Sequence, residues 1–126
     1  MKRLKLLVAI RSTMDSDLIS GFLNSGDFRL LFAMSGEEAL DTLRYNPGFD
    51  LVLADVSLPC PGGVAISSAI RSVNAYVPLI GMTAYPVDKV LKQKVGMGVD
   101  GWLMKPFSRE ELEKAVWMGM TRIVSV

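Results

Sequence analysis

The chain has 126 residues, with 14 basic and 13 acidic side chains, no histidine and one cysteine, Cys60. That length fits one domain, 1–126, and the near-neutral balance argues against a nucleic-acid or membrane surface. The lack of histidine excludes His-dependent metal sites, Ser-His and Cys-His catalysis and a phosphohistidine role, and a lone cysteine excludes an internal disulfide and suits a reducing, cytoplasmic setting.

Met1-Lys2-Arg3-Leu4-Lys5 has the look of a signal-peptide start, but the apolar run Leu6–Ile10 is too short and stops at Arg11. The longest apolar stretches are strand-sized, so no transmembrane helix is expected.

In chain order, the first strand is expected at Leu6–Ile10. A helix follows, with Met14, Leu18 and Phe22 recurring every four residues and Ile19 and Leu23 beside them. The second strand is Leu30–Met34. Ser35-Gly36-Glu37-Glu38 is then a capping-box pattern opening a helix with an apolar face of Ala39, Leu40 and Leu43. The third strand, Asp50–Ala54, leads through Pro61-Gly62-Gly63 to a helix that buries Ile66, Ala69, Ile70 and Val73. The fourth strand, Val77–Met82, precedes a helix from Pro86 carrying Val87, Val90, Leu91 and Val95, with Gly96 and Gly98 as its end signals. The fifth strand, Gly101–Met104, leads to a last helix that opens with the capping box Ser108-Arg109-Glu110-Glu111; its stripe is Leu112, Ala115, Val116 and Gly119.

Short, wholly apolar runs of this kind suit strands buried on both faces. Strict strand–helix alternation predicts an α/β doubly wound (βα)5 parallel sheet with right-handed crossovers. In such sheets the functional residues lie at the carboxyl ends of strands, near the switch in strand order. The candidates there are Ile10 and Arg11, Asp55, Thr83 and Lys105. An Asp55 carboxylate could act as a nucleophile, Lys105 could neutralise an attached anion, and the Thr83 hydroxyl could donate a hydrogen bond to it. Each alone suits a solvated loop; together, on three strand ends, they favour a site.

Four segments carry a resemblance. Leu51-Val52-Leu53-Ala54-Asp55-Val56-Ser57-Leu58-Pro59, followed by Gly62-Gly63, resembles the phosphoacceptor strand and turn of response-regulator receiver domains. Pro78-Leu79-Ile80-Gly81-Met82-Thr83-Ala84 is similar to their fourth strand. Gly98-Val99-Asp100-Gly101-Trp102-Leu103-Met104-Lys105-Pro106-Phe107 is similar to their fifth strand with its Lys-Pro-Phe ending. Ser35-Gly36-Glu37-Glu38-Ala39-Leu40 resembles the start of their second helix. The order and spacing of the four make the likeness specific over nearly the whole chain.

The resemblance implies a flavodoxin-like sheet in the order 2-1-3-4-5 and a place in two-component phosphorelay signalling. A histidine kinase would pass a phosphoryl group to Asp55; Lys105 would pair with its oxygens, Thr83 would turn toward it, and Trp102 would stand at the aromatic switch position. It also implies a cis peptide before Pro106 and a metal site using Asp55 and the Ser57 carbonyl. The role is that of a signalling module, not an enzyme beyond self-phosphorylation and dephosphorylation.

The sequence departs from the family at the first strand. Receiver domains hold Mg²⁺ with two acidic residues there. Gapless alignment through Leu18, Phe22 and Phe28 puts Ile10 and Arg11 at those positions; a slide by one gives Ala9 and Ile10. Neither supplies a carboxylate, and Asp15 and Asp17 read as helix-start caps and dipole partners. No bound cofactor is expected, and Mg²⁺ only if the altered pocket still works. Arg11 is expected to project toward Asp55, or else to turn to solvent or to Asp15 and Asp17. This tilts the reading toward a pseudo-receiver acting through protein contacts, with an ordinary Mg²⁺-dependent receiver as the alternative.

Partners implied are a sensor histidine kinase or another signalling protein, or a second copy through the fourth and fifth helices. Trp117 lies off the stripe of the last helix and is expected to face outward, with Trp102 near the same face. A flavin or small-molecule binder on the same topology is remote. Ser12, Thr13 and Ser16 faintly suggest a phosphate loop, but that stretch has no glycine and carries Asp15 and Asp17 instead.

Overall fold

The computed structural model describes residues 3–92 and 98–121. Strands β1 (Leu4–Ala9), β2 (Phe28–Ala33), β3 (Leu51–Asp55), β4 (Leu79–Thr83) and β5 (Gly101–Met104) form one parallel sheet in the order β2-β1-β3-β4-β5. Helices α1 (Thr13–Phe22), α2 (Gly36–Tyr45), α3 (Ile66–Val73), α4 (Val87–Lys92) and α5 (Arg109–Thr121) alternate with the strands. This is the flavodoxin-like doubly wound arrangement that the alternation and the resemblance imply. Val95 and Gly96, the expected end of the fourth helix, lie outside the described residues.

Alternation along each strand divides the core in two. On one face Leu6, Val8, Leu53, Ile80 and Leu103 pack under α1 and α5, against Ile19, Leu112 and Val116. On the other, Leu7, Ala9, Val52 and Ala54 pack under α2 and α3, against Leu40, Ile66 and Ile70. Most of these side chains are fully buried, each contributing about 1.5–3 kcal/mol of transfer free energy. Burial on both faces is the reason the strands read as unbroken apolar runs.

The second helix starts where the capping box predicts. Ser35 Oγ accepts the Glu38 N–H at 3.1 Å, while the Glu38 carboxylate accepts the Met34 N–H at 3.4 Å. At α5 the box is fully reciprocal: Ser108 Oγ accepts the Glu111 N–H and Glu111 Oε1 accepts the Ser108 N–H, both at 3.1 Å. The first helix departs from expectation. Ile19 is its buried residue, with Leu23 buried at its C-cap, whereas Met14 and Leu18 are exposed and Phe22 is half-buried. A stripe every four residues drifts around a helix of 3.6 residues per turn, so it cannot all face one core.

Between β1 and β3 the chain changes the direction in which strands are added, and the carboxyl ends of these two strands therefore border an open crevice. Asp55 is the last residue of β3.

Gly36, buried at the start of α2, is packed against the loop after β3. A methyl group there would overlap Cys60 Sγ and come within 2.5 Å of the Pro59 carbonyl oxygen. Overpacking against backbone costs about 1–3 kcal/mol. Gly36→Ala should lower the urea midpoint by that equivalent with an unchanged m-value, a result that equilibrium unfolding checks.

Candidate functional site

Asp55 is held by three donors. Its Oδ1 accepts the Ser57 N–H at 2.9 Å and the Ser57 hydroxyl at 2.6 Å; its Oδ2 accepts the Lys105 ammonium at 2.6 Å. The first bond forms a local turn in which a short carboxylate binds its own backbone two residues on, and the Ser57 hydroxyl reinforces it from the side chain. The third joins two residues 50 apart in the chain. Lys105 is carried there by β5, and its own N–H donates to the Thr83 carbonyl at 2.8 Å. The peptide between Lys105 and Pro106 is cis.

Burial by itself would raise the Asp55 pKa. The hydrogen bonds from Lys105 and Ser57, with the charge of Lys105, outweigh it and hold the carboxyl below its ordinary value of 3.8. The group is an anion with its cation already in place.

Asp15 is the second carboxylate at the site. It sits in the first turn of α1, where Ser12 is the cap and accepts the Asp15 N–H at 3.2 Å. Its carboxylate lies 3.5 Å from the Lys105 ammonium. The reading of Asp15 as a helix-start acid therefore holds only in part, because its side chain also faces the lysine. Asp17 is exposed.

Arg11 does not approach Asp55. It is exposed, and the cation that Asp55 binds is Lys105. β1 ends one residue earlier than the apolar run suggests, and its register pairs Ala9 with Ala54. The next residue, Ile10, is thus level with Asp55, and both Ala9 and Ile10 are buried. Arg11 has already left the sheet and turns to solvent.

Thr83 is buried at the end of β4, but its hydroxyl is engaged locally. It accepts the Tyr85 N–H at 3.0 Å and donates to the Tyr85 carbonyl at 3.1 Å. Trp102 is half-buried on the α2–α3 face. A Cβ on Gly81 would come within 2.9 Å of both the Trp102 indole and Val56, so glycine makes room for the ring.

Trp117 is 46% exposed on α5 and packs against Phe28 of β2, ring centroids 5.8 Å apart. The two tryptophans do not share a face. Leu103 points toward α1 and α5, so its neighbour Trp102 points to the opposite side of the sheet.

A cleft of about 620 Å³ opens beside Asp55, lined by Leu58, Val64, Ala65, Thr83, Tyr85 and Val90 among others. Cys60 also lines it, buried, its thiol pushed up in pKa by that burial and so held protonated.

A hard dication wants several oxygen ligands in fixed geometry. Beside Asp55 the end of β1 offers only the hydrocarbon of Ala9 and Ile10. Ser57 meets Asp55 through its N–H and hydroxyl, both of them donors, which leaves its backbone carbonyl as the one oxygen it could offer a metal. Among the described residues no three of His, Cys, Asp and Glu gather into a metal-binding group. Asp55, the Ser57 carbonyl and an Asp15 carboxylate turned to Lys105 are a poor oxygen set for Mg²⁺.

The profile for the response regulator receiver domain matches residues 13–117. The chain belongs to the response regulator receiver domain family. The chain is similar to "Hybrid signal transduction histidine kinase I" of Dictyostelium discoideum, 28% identical over 120 residues that cover 89% of this chain and 7% of that protein. "Probable transcriptional regulator ycf29" of Pyropia yezoensis is 31% identical over 110 residues, 86% of this chain and 49% of that one. The chain thus spans from less than a tenth to about half of these curated relatives.

Chemotaxis protein CheY4 of Vibrio cholerae superposes with a TM-score of 0.76 at 28% identity, over 93% of this chain and 98% of that one. The receiver domain of sensor histidine kinase PA1611 from Pseudomonas aeruginosa, which has magnesium in its active-site cleft, gives 0.82 at 23% identity, over 94% and 98%. That second likeness concerns the fold.

Two features of this receiver domain escaped sequence reasoning. Asp15 was hidden because contact across α1 and β5 leaves no local pattern. The Ser57 hydroxyl had a usable signal, since Asp-x-Ser is a spacing at which a carboxylate turns back on its own backbone.

Replacing Lys105 removes the cation that offsets burial. In Lys105→Met the Asp55 carboxyl should titrate at higher pH than in wild type, followed by carboxyl ¹³C NMR. A folded pKa below the unfolded one stabilises the protein above the unfolded value, and that contribution is lost as pH falls through the lowered folded value. The variant should therefore be less stable than wild type at neutral pH, with the gap narrowing in acid.

Proposed function

We propose that this receiver domain signals through protein contacts as a pseudo-receiver, with Asp55 at the phosphoacceptor position but without metal-dependent phosphotransfer. The single observation that carries the reading is the pairing of Asp55 with Lys105 next to a β1 end made of Ala9 and Ile10. On this reading Ala9 and Ile10 stand where the family's acidic pair belongs, and Arg11 lies beyond it.

The physical support is electrostatic. A phosphoryl donor brings negative oxygens toward a carboxylate. Two unit charges ~4 Å apart repel by about 4 kcal/mol at an effective dielectric near 20. Left unopposed, that slows transfer by roughly a thousandfold. Enzymes of phosphoryl transfer relieve it with metal ions and cationic side chains. Here Lys105 is the cation at hand, and it also faces the Asp15 carboxylate at 3.5 Å.

Receiver domains interact with histidine kinases and other signalling proteins; for this chain a sensor kinase or comparable signalling protein is the proposed partner. Asp55, Lys105, Thr83 and Trp102 would then transmit occupancy of a contact face instead of phosphorylation. Ser57 caps the carboxylate instead of holding a metal.

Acetyl phosphate tests this without a cognate kinase. Wild-type protein should label at Asp55 slowly, at a rate that Mg²⁺ does not change, read by phosphate-affinity electrophoresis or intact mass. Ala9→Asp with Ile10→Asp, checked for folding by circular dichroism, should gain Mg²⁺-dependent labelling that Asp55→Asn abolishes. Rapid Mg²⁺-dependent labelling of the unaltered protein would establish an ordinary receiver and overturn the proposal.

A further inference from the structure

Lys105 stands between two carboxylates on different elements. Asp55 comes from the end of β3 and Asp15 from the first turn of α1, and the ammonium is 2.6 Å from one and 3.5 Å from the other. The lysine side chain is 19% exposed, those of Asp55 and Asp15 15% and 29%, so all three are partly withdrawn from water. An ammonium carries three donor protons, and only one is used by Asp55. The remaining two can serve a second anion without rotating the lysine away from the first.

Asp15 is also well placed to stay where it is. Ser12 caps the helix through the Asp15 N–H, which fixes the first turn, and a carboxylate in a helix's first turn is favoured by the helix dipole. The dipole alone would be satisfied with Asp15 facing solvent, as Asp17 does. The contact with Lys105 is a separate observation.

We infer that Asp15 is a positioning residue: a second seat for the Lys105 ammonium, which keeps the cation at the site when Asp55 cannot hold it. The bridge ties α1 to β3 and to the turn after β5. It also gives the site one acid from outside the sheet, directed at the lysine. The inference rests on the reading of Asp55 and Lys105 as the functional pair, and it concerns how that pair is regulated. Whatever neutralises Asp55 would leave Lys105 bound to α1 instead of releasing it to solvent.

The test follows the lysine ammonium directly. A Lys NH₃⁺ group gives a resolved ¹H–¹⁵N correlation only when it is held in an ion pair that slows exchange with water; loss of the signal in Lys105→Arg assigns it. The wild type should show the Lys105 signal, and both Asp55→Asn and Asp15→Asn should keep it. The double variant Asp15→Asn/Asp55→Asn should lose it, and Asp15→Glu/Asp55→Asn should retain it. Backbone amide spectra of each variant establish that the fold is intact, so a general loss of structure is not mistaken for release of the lysine. No signal in wild type, loss of it in Asp55→Asn alone, or survival in the double asparagine variant would overturn the inference. The labelling experiment with acetyl phosphate is independent of it: ready Mg²⁺-dependent phosphorylation would end the pseudo-receiver reading and leave this result standing.

Discussion

The Lys105 ammonium, 2.6 Å from Asp55 Oδ2, is the contact on which the arrangement of this molecule turns. The two residues are brought together by nothing local. β3 and β5 are not neighbours; β4 lies between them, and its Thr83 carbonyl takes the Lys105 N–H. The parallel sheet therefore acts as a ruler that sets the lysine over the crevice left by the change of strand order. Buried apolar side chains on both faces keep that ruler stiff, so that an ion pair of two partly buried groups can form in one geometry. Such a pair has to recover the desolvation of both charges. Three hydrogen bonds on one carboxylate are how this site does so.

Charge neutralisation by a side chain differs in kind from neutralisation by a metal. A dication can be loaded, removed and shared with an incoming phosphoryl group. An ammonium on a covalent tether is always present, and here it is shared with Asp15. On the proposed function, this tethered cation would hold the site at one charge state irrespective of the supply of magnesium. That constancy suits a module whose signal arrives as a protein contact, which is the sense of the proposed function.

Much of the fold was legible because strands buried on both faces and capped helices leave direct traces. Five short apolar runs marked the strands, and Ser35 and Ser108 marked two helix starts to the residue. Asp55, Thr83 and Lys105 were legible as strand-end residues from the alternation alone, and the family motifs sharpened them. What was not legible depended on a single residue of register. β1 stops at Ala9, and this one position decides that Ile10 is level with Asp55 and Arg11 is outside. Strand ends carry no periodic signal, so the sequence could not choose between the two alignments. The same holds for side chains that meet only in three dimensions. Asp15 faces Lys105 across helix and sheet, and Trp102 and Trp117, expected near one face, lie on opposite sides of the sheet. Met14 and Leu18 show the converse, an apolar spacing that the fold leaves in solvent.

The central claim is that the tethered ammonium of Lys105, and not a dication, neutralises Asp55. Titration of the ¹⁵N-labelled wild-type protein with Mg²⁺ into the millimolar range tests it most directly. Amide signals of Asp55, Val56, Ser57 and Lys105 should stay in place, while Ala9→Asp/Ile10→Asp should show a saturable shift at those residues. A saturable shift centred on Asp55 in the unaltered protein would contradict the account.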